Sequence, residues 1–234
     1  MKISIKKDEG FVEYETTLEG ATLLEILSDI KHNKDNTLAF SSGCRSSVCG
    51  SCSMRVNELE VLACSYKVED GDSIEPLKNV EVIRDLVVDM DKAYSFNQKA
   101  KAWLSKISSG INLDESDAKI NELQSDCILC GSCYSACPVY SLNEEFLGPF
   151  ALTRIWKYVS DKREDNTLQK VTDIQTNGVW DCTLCNNCTV VCPQNISSKS
   201  DIEMLRMKSV QNGFIDPSFD SFDGGFGFDG SPSF

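Results

Sequence analysis

The sequence predicts an α+β chain with two units in series, a β-rich N-terminal unit holding one helix and a second unit built from helices. Three observations carry that prediction: apolar residues alternate with polar ones near the start, an apolar helical face follows a capping signature at 22–30, and helix-length segments replace strand-like alternation after about Met90.

In order along the chain, Ile3 and Ile5 alternate with polar neighbours, and Phe11, Val12 and Tyr14 open a second strand. Residues 2–18 therefore read as a hairpin turning at Asp8-Glu9-Gly10. Thr22 with Glu25 three positions on forms a capping box, and Leu23, Leu24, Ile26, Leu27 and Ile30 after it fall on one helical face. A loop rich in Gly, Ser and Cys occupies 38–64, and short strands are expected at Glu60-Val61-Leu62-Ala63 and Val80-Glu81-Val82-Ile83. Strand, strand, helix, loop and further strands is the order of a β-grasp ferredoxin-like domain, expected over residues 1–95. Helices are expected around Ala100–Ile107, Ser116–Leu123, Phe150–Ser160 and Ile202–Val210, within an all-helical unit at 96–212. Residues 213–234 are rich in Gly, Ser, Asp and Phe without either period and read as a disordered tail; the sharper alternative is that its phenylalanines dock on a partner.

Hydrophobic residues make up 41% and charged residues 25% of the 234, so a packed core can form. A formal charge of -13 argues against a nucleic-acid surface, which needs clustered Lys and Arg, and points to proteins or small electron donors as partners. The N-terminus lacks an apolar signal region, and no apolar run approaches the ~18 residues of a membrane span, so the chain is expected to carry no membrane address of its own.

The twelve cysteines decide the chemistry. They fall in tight Cys-x-x-Cys runs rather than the spread spacings of a secreted disulfide framework, and this favours metal. Cys44-x4-Cys49-x2-Cys52, followed by Cys64, is the plant-type 2Fe-2S spacing, with three thiolates on one loop and the fourth from a later segment. Gly43, Ser46, Ser47, Gly50 and Ser51 keep that loop small and offer donors to sulfur. Zinc, the competitor, prefers paired knuckles to three cysteines on one loop. Further on, Cys127, Cys130, Cys133 and Cys137-Pro138, then Cys182, Cys185, Cys188 and Cys192-Pro193, both follow the bacterial C-x2-C-x2-C-x3-C-P run. In that run the fourth cysteine ligates the other cluster. One 4Fe-4S cluster is thus expected on Cys127, Cys130, Cys133 and Cys192, and a second on Cys137, Cys182, Cys185 and Cys188. The similarity of the two motifs points to an internal pseudo-twofold.

The single histidine, His32, ends the first helix away from any cysteine motif and reads as a surface cap. A Rieske site, which needs two histidines, is excluded for this chain alone. No dinucleotide fingerprint follows a strand, and Gly224-Gly225-Phe226-Gly227 lies in the polar tail, so chemistry on an organic substrate is expected on another subunit.

The combination of domains resembles the iron-sulfur subunit of succinate dehydrogenase and fumarate reductase over about residues 1–212. The likeness is sharpest at Cys44-Arg45-Ser46-Ser47-Val48-Cys49-Gly50-Ser51-Cys52-Ser53-Met54, Ile83-Arg84-Asp85-Leu86-Val87-Val88-Asp89-Met90 and Gly178-Val179-Trp180-Asp181-Cys182-Thr183. The last of these, with Leu142-Asn143-Glu144-Glu145-Phe146-Leu147-Gly148-Pro149, is similar to the fumarate reductase branch. The resemblance implies an electron-transfer subunit without a catalytic site of its own, serving the tricarboxylic acid cycle or anaerobic respiration. The centres would stand in the order FAD on a flavoprotein partner, the 2Fe-2S cluster, the cubane of Cys127, Cys130, Cys133 and Cys192, then that of Cys137, Cys182, Cys185 and Cys188. It further implies a peripheral place on the cytoplasmic membrane, on its cytoplasmic face, or on the periplasmic face through a signal-bearing partner. Two departures from the commonest pattern matter. Cys185 stands where familiar members lack cysteine and hold a 3Fe-4S cluster, which favours a complete 4Fe-4S cluster here. Thr183 after Cys182, and Tyr140-Ser141 after Cys137-Pro138-Val139, replace quinone-site Trp and His, resembling members that hand electrons to a cysteine-rich, heterodisulfide-reductase-like subunit; the partner on that side is expected to be such a subunit or a membrane anchor. The related alternative is the iron-sulfur subunit of another flavin-dependent dehydrogenase, oxidising glycolate, lactate or thiols.

Overall fold

The computed structural model describes residues 1–220. β1 (Lys2–Lys7) and β2 (Gly10–Glu15) form the expected antiparallel hairpin, with Ile3 opposite Tyr14 and Ile5 opposite Val12. The alternation places Ile3, Ile5 and Tyr14 on the covered face. Helix α1 (Leu23–Asn33) begins at Thr22, whose hydroxyl accepts from the Glu25 amide while the Glu25 carboxylate accepts from the Thr22 amide, so the capping box is made. Its Leu23, Leu24, Ile26, Leu27 and Ile30 are all buried against the sheet.

The chain then forms β3 (Ser53–Val56), β4 (Leu59–Leu62) and β5 (Ser73–Glu75). The five strands make one mixed sheet in the order β2-β1-β5-β3-β4, in which only the central pair β1 and β5 is parallel. Sequence reading missed β3 and β5 because both are short and lie against the cysteine loop or a polar turn, where alternation has no length over which to show. A separate hairpin, β6 (Glu81–Arg84) and β7 (Val87–Asp89), is held to the sheet unit through Asp85. That buried carboxylate accepts from the amide of Ala39 at 2.8 Å, and its own amide donates to Asp8.

From here the named elements are helices: α2 (Asp91–Lys99), α3 (Glu115–Lys119), α4 (Glu122–Ser125), α5 (Ser132–Ser135), α6 (Pro149–Val159), α7 (Thr167–Asp173), α8 (Asn187–Val190), α9 (Ser198–Gln211) and α10 (Pro217–Asp220). Helices α6 and α9 lie where the apolar patterns place them. The helix expected at Ala100–Ile107 is a correction: α2 stops at Ala100, Lys101 turns left-handed at φ 49°, and the carbonyls of Lys101 and Trp103 accept from the buried Lys170 ammonium at 2.7 and 2.6 Å. Carbonyls bound to an ammonium across the fold do not serve a helical ladder. The stretch expected as one helix at 116–123 is two short ones, broken at Ile120-Asn121, where Asn121 instead donates to the Lys157 carbonyl.

Two cores result. One joins α1 to the sheet, and the other joins Ala93 and Phe96 of α2 to α6, α9 and a cluster of Tyr134, Tyr140, Phe146 and Phe150. Within the stretch expected as a tail, Phe214 packs against the helical core and Pro217–Asp220 is helical; residues 221–234 of that expectation lie outside the described residues.

Candidate metal centres

Between α1 and β3 the first cysteine loop winds through left-handed backbone at Arg45 (φ 61°), Ser47 (φ 59°) and Gly50 (φ 71°). These reversals turn successive amides inward. The amides of Ser46, Val48 and Cys49 donate to Cys44 Sγ at 3.3 to 3.4 Å, that of Cys44 to Cys49 Sγ at 3.3 Å, and that of Ser47 to Cys64 Sγ at 3.3 Å. A Cβ on Gly43 would stand 3.0 Å from both Cys49 Sγ and Ser51 Oγ, so a larger residue there would crowd those side chains. The Ser46 and Val48 amides bring the Cys44 thiol down to about 6, whereas burial lifts Cys52 to about 11. At Cys64 burial works upward, and the Ser47 hydroxyl and amide outweigh it to leave the thiol below its ordinary value. Cys44, Cys49 and Val48 are exposed, so one edge of the loop opens to the surface.

The second and third cysteine runs share a backbone signature. Leu129 and Leu184 sit at φ 54° and 56°, Gly131 and Asn186 at φ 84° and 74°, and each pair introduces a four-residue helix, α5 or α8. The two short helices pack on each other, and this brings the end of each motif beside the start of the other. One cavity is lined by Cys127, Cys130, Cys133 and Cys192, with Phe150 and Pro193 closing it. Another is lined by Cys137, Cys182, Cys185 and Cys188, with Phe146 and Pro149. Each cavity thus takes three sulfurs from one run and the fourth from the other.

Burial pushes the thiols of Cys127, Cys130, Cys137 and Cys182 up, Cys133 far up, and Cys188 to about 12. Buried thiols of this kind stay protonated unless positive metal charge replaces the proton. Backbone amides aim at several of the sulfurs lining the two cavities: Tyr140 at Cys137, Leu184 at Cys182 and Ile196 at Cys192, each 3.4 Å from sulfur. Sulfur donors with small or apolar neighbours and inward amides fit iron-sulfur clusters. Among the described residues no three His, Cys, Asp or Glu are arranged to hold a single metal ion; the two cysteine sets of the helical unit each surround a space instead. His32 is exposed and donates from Nδ1 to the Ser28 carbonyl one turn back, away from all three cysteine sets.

Several supporting residues carry no sequence signal because their partners lie far along the chain. Asn79 donates from one amide nitrogen to the carbonyls of Tyr134, Ser135 and Cys137 at 3.0 to 3.3 Å, which closes the C-terminus of α5. Arg206 on α9 donates to the carbonyls of Val179, Trp180 and Cys182 and lies over the Trp180 ring, fixing the approach to the third run.

Residues 4–95 match the 2Fe-2S iron-sulfur cluster binding domain, and residues 123–196 match the 4Fe-4S dicluster domain. The 8-methylmenaquinol:fumarate reductase iron-sulfur subunit of Wolinella succinogenes is 35% identical across 91% of this chain and 74% of that protein. The fumarate reductase iron-sulfur subunit of Haemophilus influenzae is 34% identical across 89% of this chain and 90% of its own length. The chain belongs to the fumarate reductase/succinate dehydrogenase iron-sulfur subunit family. As a member of this family it is an iron-sulfur electron-transfer subunit with 2Fe-2S and 4Fe-4S clusters. A chain from the Mycobacterium smegmatis Sdh1 complex in the apo form shares the family fold, at a TM-score of 0.80 over 92% of this chain and 98% of that one, with 22% identity. No helix among the described residues is long and apolar enough to cross a membrane.

Proposed function

We propose that this chain conducts electrons between the FAD of a flavoprotein partner and a membrane-side quinone or a thiol-linked, cysteine-rich subunit, through one 2Fe-2S and two 4Fe-4S clusters. Cys44, Cys49, Cys52 and Cys64 hold the 2Fe-2S cluster; Cys127, Cys130, Cys133 and Cys192 hold the first 4Fe-4S cluster; Cys137, Cys182, Cys185 and Cys188 hold the second. The observation that carries this reading is the lining of the two cavities by crossed sets of four cysteines. With Cys185 available, the last site has four thiolates and suits a 4Fe-4S rather than a 3Fe-4S cluster.

Bound clusters supply one-electron storage, and the chain's own residues do the rest. The amides of Ser46, Ser47, Val48 and Cys49 stabilise negative charge on Cys44 and Cys64 and so favour the reduced site. Phe146, Phe150 and the prolines keep water from the buried sulfurs. The family relationship supports a complex in which a flavoprotein interconverts fumarate and succinate and this subunit performs no chemistry on the substrate. It also supports peripheral association with the membrane. The five-stranded sheet covered by α1 supports a β-grasp reading of residues 1–95, and the run of helices after Asp89 supports an all-helical unit at 96–212.

Anaerobically purified protein should contain about ten iron and ten sulfide per chain, the sum of the three clusters. Visible absorbance should bleach with dithionite, and in the assembled complex fumarate should reoxidise the reduced clusters. Zinc in place of iron and sulfide would overturn the reading.

A further inference from the structure

The two cysteine-bearing units meet closely where the first cysteine loop faces the second cysteine run. Gly50 follows Cys49 directly, is buried, and presses on the second cysteine run: a Cβ built on it would stand 2.7 Å from Cys130 Cβ and 2.9 Å from Cys130 Cα. Ser53 follows Cys52 directly, and its buried hydroxyl lies 2.8 Å from the buried hydroxyl of Ser132, itself 3.4 Å from Cys130 Sγ. Gln194, two residues beyond Cys192, donates to the Ser47 carbonyl at 3.1 Å, and Ser47 donates its amide to Cys64 Sγ. Three of the four sulfurs assigned to the 2Fe-2S site therefore sit one residue or one hydrogen bond from a contact with the first 4Fe-4S site.

We propose that electrons cross between these two sites through the Cys52-Ser53···Ser132···Cys130 contact, and that Gly50 and Ser53 are positioning residues for the crossing. The inference rests on the cysteine assignments proposed above. Electron tunnelling weakens steeply with separation and less steeply along bonded contacts than across empty space. Gly50 sets the separation. Its φ of 71° is left-handed and its missing side chain admits Cys130, so glycine is required there on two counts. Ser53 supplies the bonded contact, and its hydroxyl touches no sulfur directly. The transfer moves one electron, leaving one site oxidised and the other reduced; no covalent bond changes and no proton leaves.

The test uses the cluster-loaded full chain, reduced by a flash-generated one-electron donor and followed by freeze-quench EPR, with midpoint potentials measured in parallel. Ser53→Ala is expected to slow passage from the 2Fe-2S signal to the 4Fe-4S signal several-fold while all midpoints stay at their original values. Gly50→Ala is expected to slow it further and to weaken the magnetic splitting between the two signals in fully reduced protein, because the added methyl pushes the loop from Cys130. Wild-type transfer in Ser53→Ala at full iron content would overturn the proposal, whether or not Gly50→Ala folds. Parent protein without the three cluster signals would overturn the cysteine assignments themselves, a separate result.

Discussion

The sulfur-bearing loop at 43–52 hangs from a sheet whose apolar core closes beneath it, whereas the turns at 127–133 and 182–188 lie among the helices they join. In the first case Ile3, Ile5, Ile26, Leu27, Ile30 and Ile74 pack whether or not the loop is filled. In the second, α5 and α8 are four residues each, too short to persist without tertiary support, and the sulfurs they present point into shared cavities. Iron is thus an attachment to the first unit and part of the framework of the second.

The sharpest way to break that contrast is to remove one sulfur from each unit. Cys192→Ser should cost the second unit most of its helical circular dichroism and open it to protease, while Cys44→Ser should leave the sheet resistant and lose only the 2Fe-2S signal. Equal damage from both would end the distinction. Next in size is Lys170→Met, which strands Glu164 without its cation. Both side chains are fully buried, so the loss should be about 3–5 kcal/mol in chemical denaturation and should fall on the helical unit. Gly178→Ala, whose methyl would overlap the Ile174 carbonyl, should cost roughly 3 kcal/mol in the same unit.

A pH series sharpens the comparison further. Burial lifts the Asp201 carboxyl on α9 to about 6 despite a hydrogen bond from Gln124. The unfolded chain gives up this proton near pH 4 and the folded chain near pH 6. The native state therefore loses stability between those values as pH rises, by on the order of 3 kcal/mol, with little further change above. Asp201→Asn should flatten that portion of the melting curve for the helical unit and leave the sheet unit's pH dependence unaltered. The smallest expected effect is Thr22→Ala, which removes the α1 cap and should cost the sheet unit about 1 kcal/mol, read as a lower melting temperature for that unit alone.

Features made by neighbours in sequence were legible from residues alone. The hairpin at 2–15, the Thr22/Glu25 box and α6 with its leading proline each depend on positions a few residues apart, where periodicity and capping operate. The cysteine runs were legible for the same reason, since spacing fixes how many thiolates one turn can present. What stayed hidden depends on distant partners. Residues 100–107 have helical composition, yet Lys170, some 70 positions on, holds two of their carbonyls. Asn79 closing α5, Arg206 clasping the approach to Cys182, and Ser53 meeting Ser132 are equally remote pairings that no local pattern encodes.

The exchange of fourth cysteines also orders events during synthesis. With these proposed donor sets, a nascent chain has every ligand for its 2Fe-2S cluster once Cys64 has left the ribosome, but neither cubane can be completed until Cys188 and Cys192 have emerged more than 120 residues later. A polypeptide released between Cys137 and Cys182 would carry a complete first donor set, three of the four thiolates for one cubane and a single thiolate for the other.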